Sequence, residues 1–162
     1  MKCLIFSDSH GEYRYFKKAL SLHPDAEVVF FLGDGLSAAE EIAGEDKNRM
    51  WISVRGNCDF STIFLNREAL PTEEINLMGK KIFFTHGHLY GVKTDLDRLS
   101  SAAESRGADI VLFGHTHIPY LNYVSGENPH YLFNPGSIKE FPHSYGILTL
   151  TENAVLLSHG SF

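Results

Sequence analysis

The chain has 162 residues, a length typical of one domain with one sizeable core. Its 43% hydrophobic and 21% charged residues are ordinary for a globular protein and exclude disordered or collagen-like chains. The formal net charge is -6, and the basic residues are scattered, which argues against a protein that coats DNA or RNA. We therefore expect a small substrate rather than a long nucleic acid.

Cysteine usage and the apolar runs bear on the compartment. Two cysteines, Cys3 and Cys58, are too few for a disulfide framework and indicate a reducing environment. The first apolar run, at 2–6, is too short for a signal peptide, and no run reaches the roughly 18 apolar residues of a membrane span. We expect a cytoplasmic protein without a membrane partner.

The first half of the chain predicts strands that alternate with helices. Short apolar runs at 2–6, 27–32 and 50–54 are typical of buried strands. Apolar residues recur at helical spacing between the first two runs, where Pro24 ends the predicted helix, and a second helix is predicted over 36–43. This alternation predicts a parallel sheet in an α/β fold.

The next segment predicts an antiparallel element followed by a helix. Residues 74–78 and 81–85 have the pattern of a hairpin with its turn at Gly79-Lys80. Residues 94–106 predict a helix, with Thr94 as its N-cap and Gly107 as its end.

The C-terminal third is expected to be rich in β-strands. A buried strand is predicted over 109–113, and short strands follow from residue 119, with turns at 125–128 and 152–153. We expect these strands to complete a second sheet. No repeat, low-complexity tract or linker interrupts the chain, so residues 1–162 are expected to form one domain.

Five short polar motifs occur in order, each after an apolar run: Asp8-Ser9-His10, Gly33-Asp34, Gly56-Asn57-Cys58-Asp59, His86-Gly87-His88 and Gly114-His115-Thr116-His117. They fall at carboxyl ends of predicted strands, where ligands bind in open α/β sheets, so we expect them to converge on one crevice. Residues two apart on extended backbone point to the same side, which would pair Asp8 with His10 and His115 with His117. The neighbouring glycines would allow sharp turns or close approach of the backbone.

The motifs supply a mixed set of nitrogen and oxygen ligands. The candidates are four imidazoles, two carboxylates and one amide: His10, His86, His115, His117, Asp8, Asp34 and Asn57. This set suits Mn²⁺, Fe²⁺, Co²⁺, Ni²⁺ or Zn²⁺ better than Ca²⁺ or Mg²⁺, and the absence of thiolate argues against a closed structural zinc site. We expect two divalent ions, with Mn²⁺ preferred and Asp34 bridging them at about 3.5 to 4 Å. The filled site would keep about two positive charges and attract phosphate.

The ordered motifs from Asp8 to His117 resemble those of the calcineurin-like metallophosphoesterases. Gly-Asn-Cys-Asp and the later motif at 134–137, Asn-Pro-Gly-Ser, are similar to the compact YfcE-type phosphodiesterases. The resemblance implies a four-layer fold, with two mixed β-sheets sandwiched between helices, and hydrolysis of phosphate esters. It also implies two ligand sets: Asp8, His10, Asp34 and His117 for one ion, and Asp34, Asn57, His86 and His115 for the other.

Cys58 departs from the pattern of many relatives, which have a histidine there that is thought to protonate the leaving group or stabilise the phosphate. Beside two cations a cysteine tends toward thiolate, which is a poor acid. We therefore expect a preference for esters with good leaving groups, or help from His88. Asp59 is expected to orient a neighbour rather than bind metal. The candidate catalytic residues are thus Asn57, Cys58, Asp59 and His88.

The leading hypothesis is a metal-dependent phosphodiesterase in which a hydroxide that bridges the ions attacks phosphorus in line with the leaving oxygen. A phosphomonoesterase or nuclease of the same mechanism is one alternative, and a scaffold with this fold, like a retromer subunit that resembles it, is another. The motif at 134–137 is expected to pack beneath the metal loops, with the amides of Gly136 and Ser137 supporting them. The oligomeric state stays open, with a homo-oligomer as one option.

Overall fold

A computed structural model describes residues 1–162 and contains two five-stranded sheets, a small hairpin and three α-helices. The strands are β1 (Lys2–Phe6), β2 (Val28–Phe31), β3 (Met50–Ser53), β4 (Ile63–Phe64), β5 (Arg67–Glu68), β6 (Thr72–Leu77), β7 (Lys80–Thr85), β8 (Ile110–Leu112), β9 (Tyr120–Val124), β10 (His130–Asn134), β11 (Tyr145–Leu150) and β12 (Val155–Gly160). The helices are α1 (Arg14–Leu22), α2 (Leu36–Glu45) and α3 (Asp97–Arg106), with a 3-10 turn at His88–Tyr90. No helix combines the length and the apolar character that crossing a membrane requires.

Both sheets are mixed. The first sheet has the order β12-β11-β1-β2-β3, in which β1, β2 and β3 are parallel and β11 and β12 are antiparallel additions. The second sheet has the order β6-β7-β8-β10-β9, with β7, β8 and β10 parallel and the two edge strands antiparallel. Each sheet therefore has a parallel centre, where the carboxyl ends of neighbouring strands lie side by side.

The alternation of side chains along β1 shows how the layers form. Leu4 and Phe6 belong to the core cluster under α1 and α2, whereas Cys3 and Ile5 belong to the cluster between the two sheets. A third cluster packs α3 against the outer face of the second sheet through Leu99. The layers are helix, sheet, sheet and helix, which confirms the fold class that the family resemblance implied.

Two predicted boundaries were wrong. The hairpin turn lies at Met78-Gly79 rather than Gly79-Lys80, because Met78 and Gly79 have positive φ of 50° and 76°, as a two-residue hairpin turn requires, and Lys80 pairs with Leu77. Helix α3 starts at Asp97 rather than near Thr94, since the side chain of Asp95 accepts the Asp97 amide (3.1 Å) in a local turn.

The C-terminal strands divide between the sheets instead of completing only the second. Strands β9 and β10 join the second sheet, but β11 pairs with β1, with Lys2 opposite Thr149. A further small hairpin, β4 and β5, lies between β3 and β6. Leu65 and Asn66 form its turn with positive φ of 47° and 65°. These pairings join distant or weakly patterned segments, which local periodicity does not specify.

Candidate metal centre

The candidate metal centre is a crevice between the carboxyl ends of the parallel strands of both sheets. Asp8 follows β1 and Asp34 follows β2, while His86 follows β7 and His115 follows β8. A hydrogen bond between the His86 ring and the Leu32 carbonyl (2.8 Å) crosses directly from the second sheet to the first. The convergence that the strand ends predicted is therefore present.

Six of the seven predicted ligands lie in overlapping groups whose potential ligand atoms are within 4.8 Å of one another. The groups are Asp8, His10 and His117; His10, Asp34 and Cys58; and Asp34, His86 and His115. His10 and Asp34 each belong to two groups and so connect the whole set. The seventh, Asn57, lies at the rim, where its exposed side chain donates a hydrogen bond to Cys58 Sγ (3.3 Å).

The backbone that presents these side chains is left-handed rather than extended. Positive φ angles occur at five of the predicted ligands: Asp8 (54°), His10 (40°), Asp34 (61°), His115 (68°) and His117 (62°). The expectation of extended pairs was therefore wrong. Such φ values are uncommon for residues with a side chain, and their concentration in one crevice is typical of functional sites that the surrounding fold holds under strain.

Close approach of the loops explains why glycine occurs beside the ligands. A Cβ atom on Gly56 would lie 2.8 Å from Asp34 Cγ, and one on Gly33 would lie 2.8 Å from the Gly56 Cα. Neither position leaves room for a side chain, so the expectation of close backbone approach is confirmed here.

His86 is fully buried, and its ring orientation is set by the main chain. Its Nδ1 donates to the Leu32 carbonyl, which directs Nε2 toward Asp34 Oδ2 (3.3 Å) and His115 Nδ1 (3.2 Å). Two ring nitrogens and a carboxylate oxygen thus point at one small volume, an arrangement that a shared cation stabilises.

Asp8 provides the clearest test of whether a cation fits. This carboxylate is fully buried, and its Oδ2 accepts the His115 amide (3.0 Å), but Oδ1 has no hydrogen-bond donor. His117 Nε2 lies 3.2 Å from Oδ1, within ion-pair distance, but donates no hydrogen bond to it. Because a buried carboxylate oxygen that accepts no hydrogen bond is costly, the donor set fits a bound divalent ion.

The Asp34 carboxylate and the Cys58 thiol lie close together, and each shifts the pKa of the other. Burial alone raises the pKa of Asp34, but His86 and the Cys58 amide (2.8 Å) outweigh it, so the net pKa is lowered. Hydrogen bonding to Asp34, with burial, raises the pKa of the Cys58 thiol. Asp34 therefore stays ionised, and Cys58 stays a thiol in the protein without bound cations.

The pKa values of His117 and His115 shift in opposite directions because their neighbours differ. The Asp8 carboxylate, and then Glu140, raise the pKa of His117 to about 9 despite partial burial. Burial and the charge of His86 lower the pKa of His115 to about 4. His115 therefore offers a free electron pair at neutral pH, while His117 must release a proton before it binds a metal.

Asp59 contacts main-chain donors rather than the clustered ligands. Its carboxylate accepts the amides of Asp34 (2.9 Å), Gly35 (2.7 Å), Leu36 (2.8 Å) and Gly56 (2.8 Å). Asp59 thus joins the loop that carries Asp34 to the start of α2.

His88 lies beside the clustered rings, outside the ligand groups. Its ring centroid is 5.5 Å from that of His86 and 6.1 Å from that of His115, and its buried Nδ1 has no hydrogen-bond partner. Burial, with the charge of His86, lowers the pKa of His88.

The motif at 134–137 supports the loops through side chains rather than through the expected amides. The Ser137 hydroxyl donates to the Asp8 carbonyl (2.9 Å), and the Asn134 amide donates to the Gly114 carbonyl (2.9 Å). The Gly136 amide instead bonds the Asn134 side chain (2.8 Å). Sequence reasoning also missed Glu140, which contacts His117 (2.7 Å) and belongs to no motif that could have revealed it.

Comparisons with known proteins agree with this fold and site. The calcineurin-like phosphoesterase superfamily domain matches residues 1–153. The chain is 35% identical over 158 residues to the probable metallophosphoesterase YsnB of Bacillus subtilis, which covers 95% of this chain and 87% of YsnB. It is 32% identical over 170 residues to the phosphodiesterase YfcE of Escherichia coli, which covers 91% of this chain and 87% of YfcE. The chain therefore belongs to the calcineurin-like phosphoesterase family.

Solved structures show the same architecture. The YfcE structure matches with a TM-score of 0.68 and 26% identity, over 99% of each chain. A Vps29 structure from Entamoeba histolytica, complexed with Zn²⁺, matches with a TM-score of 0.73 and 21% identity, over 99% of each chain. At that identity the second likeness concerns the fold alone.

Proposed function

We propose that this chain is a phosphodiesterase that binds two divalent ions, Mn²⁺ by preference, and hydrolyses small phosphodiesters. The observation that carries the proposal is the connected ligand set, in which His10 and Asp34 link three groups in one crevice. The phosphodiesterase name of the relative YfcE supports the choice of diesters.

The grouping supports the two ligand sets that the family resemblance implied. Asp8, His10 and His117 would hold one ion, and His86 with His115 would hold the other, while Asp34 would be shared. Asn57, whose exposed side chain contacts Cys58 Sγ (3.3 Å), would complete the second set. Both sets combine imidazole with carboxylate, which suits Mn²⁺ and its neighbours among the transition metals.

Bound divalent ions would supply Lewis acidity that lowers the pKa of a water and neutralises charge on the phosphate. Other residues of the chain position the ligands of these ions. Asp59 holds the loop that carries Asp34, and the Leu32 carbonyl orients His86. Residues that could serve the leaving group lie at Cys58 and His88. Because its pKa is lowered, His88 is neutral at neutral pH and orients a leaving oxygen or a water better than it protonates one. Weak acid assistance therefore favours diesters with good leaving groups.

The test combines metal analysis with two matched substrates. Purified protein is analysed for bound metals, stripped with EDTA, and assayed on bis(4-nitrophenyl) phosphate and 4-nitrophenyl phosphate, each with and without Mn²⁺. We expect Mn²⁺ to restore turnover, with the diester hydrolysed faster than the monoester. A faster monoester reaction would instead indicate a phosphomonoesterase.

Asp34→Asn and Asp25→Asn form a matched pair of variants. Asp34 lies in the crevice, whereas Asp25 precedes β2 at the opposite end of that strand and pairs with Lys2 (3.1 Å). We expect Asp34→Asn to lower the Mn²⁺-dependent kcat/KM by at least about 100-fold. We expect Asp25→Asn to keep the wild-type kcat/KM. Full activity of Asp34→Asn, or no metal and no metal-stimulated turnover in the wild type, would contradict the proposal. The second result would favour a scaffold.

A further inference from the structure

Glu140 makes a short contact with the outer nitrogen of a predicted metal ligand. Its Oε1 accepts a hydrogen bond from His117 Nδ1 at 2.7 Å. The other ring nitrogen, Nε2, faces the crevice and lies 3.2 Å from Asp8 Oδ1. The ring of His117 is thus held between two carboxylates, one inside the crevice and one outside it.

The position of Glu140 is tied to the same loop that supports Asp8. The Glu140 amide donates to the Ser137 hydroxyl (3.2 Å), and that hydroxyl donates to the Asp8 carbonyl (2.9 Å). One turn of the chain therefore places both the backbone of Asp8 and the acceptor for His117. A shift of this turn would move two members of one ligand group together.

His86 and His117 are oriented by different kinds of hydrogen-bond acceptor. His86 donates to the Leu32 carbonyl, a neutral group in the buried core. His117 donates to a carboxylate whose side chain is 57% exposed. The negative charge makes Glu140 the stronger acceptor, and its exposure makes it replaceable without opening the core.

We propose that Glu140 is a positioning residue that holds the Nδ1 proton of His117 and thereby presents Nε2 to a divalent ion shared with Asp8 and His10. This inference rests on the proposed metal centre. Glu140 itself belongs to no ligand group, so it acts through His117 rather than on the ion. Removal of a carboxylate that orients a metal-binding imidazole typically weakens the metal affinity by roughly 10- to 100-fold.

The test is calorimetric titration of EDTA-treated protein with Mn²⁺ alone. We expect Glu140→Ala to weaken one of the two binding steps by roughly 10- to 100-fold and to leave the other unchanged. Glu140→Gln keeps an oxygen acceptor without the charge, so its loss should be smaller than that of the alanine variant. The matched control is Glu127→Ala, an exposed glutamate in the loop between β9 and β10.

Thermal unfolding in EDTA is measured for each variant, because an unchanged Tm shows that weaker binding does not reflect a damaged fold. Wild-type affinity for both ions in Glu140→Ala, or an equal loss in Glu127→Ala, would overturn the positioning role while leaving the metal centre intact. If the wild type itself bound no Mn²⁺, the proposed metal centre would be wrong and this inference with it.

Discussion

The main-chain amide of His115 donates a hydrogen bond of 3.0 Å to Oδ2 of Asp8, across 107 residues of sequence. This bond joins the loop after β8 in the second sheet to the loop after β1 in the first. It uses only one oxygen of the buried carboxylate and leaves Oδ1 without a donor. Asp8 therefore links the two sheets with one oxygen and offers the other to a cation.

Asp8→Asn should abolish stabilisation by metal. An asparagine oxygen can still accept the His115 amide, but the uncharged side chain is a much weaker ligand for a divalent ion. We expect 1 mM Mn²⁺ to raise the Tm of the wild type by several degrees through linkage, and to raise the Tm of Asp8→Asn little or not at all. Differential scanning calorimetry with and without Mn²⁺ measures both shifts. Asp25→Asn is the isosteric control, and an equal Mn²⁺ shift in Asp8→Asn would contradict the ligand role.

Asp59→Ala should destabilise the fold, because the carboxylate accepts four main-chain amides, those of Asp34, Gly35, Leu36 and Gly56. Loss of several such acceptors at a helix start costs about 2 kcal/mol or more in the free energy of unfolding. Urea unfolding in EDTA measures the change without any metal effect. Asp97→Ala, at the first turn of α3, is expected to cost less than about 1 kcal/mol. Equal losses in the two variants would show that Asp59 has no special structural role.

Much of the fold could be predicted from the sequence because its central strands are short, apolar and closed by polar motifs. The runs at 2–6 and 27–32 show this pattern, and parallel pairing then brings their carboxyl ends together. The first-sheet membership of β11 and β12 could not be predicted, since pairing between Lys2 and Thr149 depends on contacts across almost the whole chain.

Six of the seven predicted ligands lie together, but the backbone geometry that presents them could not be predicted. The motifs indicate which side chains meet, but they do not predict the left-handed backbone at Asp8 or His115. Among the amino acids, only glycine commonly adopts that conformation, so only glycine indicates it in a sequence. Glu140 shows a second limit. It is an ordinary exposed glutamate in sequence, and only the turn through Ser137 brings it to His117.

The metal-free protein should lose stability as the pH rises above neutral. The Asp8 carboxylate is the main cause that raises the pKa of His117 to about 9, from about 6.5 in an unfolded chain. Because the folded pKa is the higher one, this stabilisation is complete below pH about 6.5 and is lost as the pH rises through about 9. Between pH 7 and 9.5 the loss should be on the order of 1 kcal/mol after solvent screening.

Urea unfolding in EDTA at several pH values measures this slope. His117→Gln should reduce the dependence of the unfolding free energy on pH. Part of that dependence should remain, because Asp34 and Asp8 also raise the pKa of His86 despite its burial. His115 does not contribute in this window, since its pKa is about 4 in the folded protein. An identical slope in His117→Gln would show that the Asp8 carboxylate does not stabilise the charged form of His117.

Cys58 should limit turnover of diesters with poor leaving groups. Its Sγ lies in one group with His10 and Asp34, where a histidine could present an acidic proton to the leaving oxygen. We expect Cys58→Ser to keep kcat within about twofold, and Cys58→His to raise kcat about tenfold or more on alkyl aryl diesters with poor leaving groups. Steady-state kinetics over a series of leaving-group pKa values measures the effect. If neither variant changed kcat on any ester, leaving-group protonation at this position would not limit the reaction.

Gly56→Ala and Gly44→Ala should have opposite effects, although both add one methyl group. The new Cβ at position 56 would lie 2.8 Å from Asp34 Cγ, and 2.5 Å from the Asp34 amide nitrogen. Relief would require moving the loop that carries Asp34, so we expect a loss of about 2 kcal/mol or more in the free energy of unfolding, together with loss of Mn²⁺ binding. Gly44 lies in α2 with nothing within 4 Å of such an atom. Alanine there should stabilise the helix by up to about 1 kcal/mol and leave Mn²⁺ affinity unchanged. Urea unfolding and calorimetric titration of both variants distinguish the two cases, and normal Mn²⁺ affinity in Gly56→Ala would show that the loop around Asp34 adapts without cost to the site.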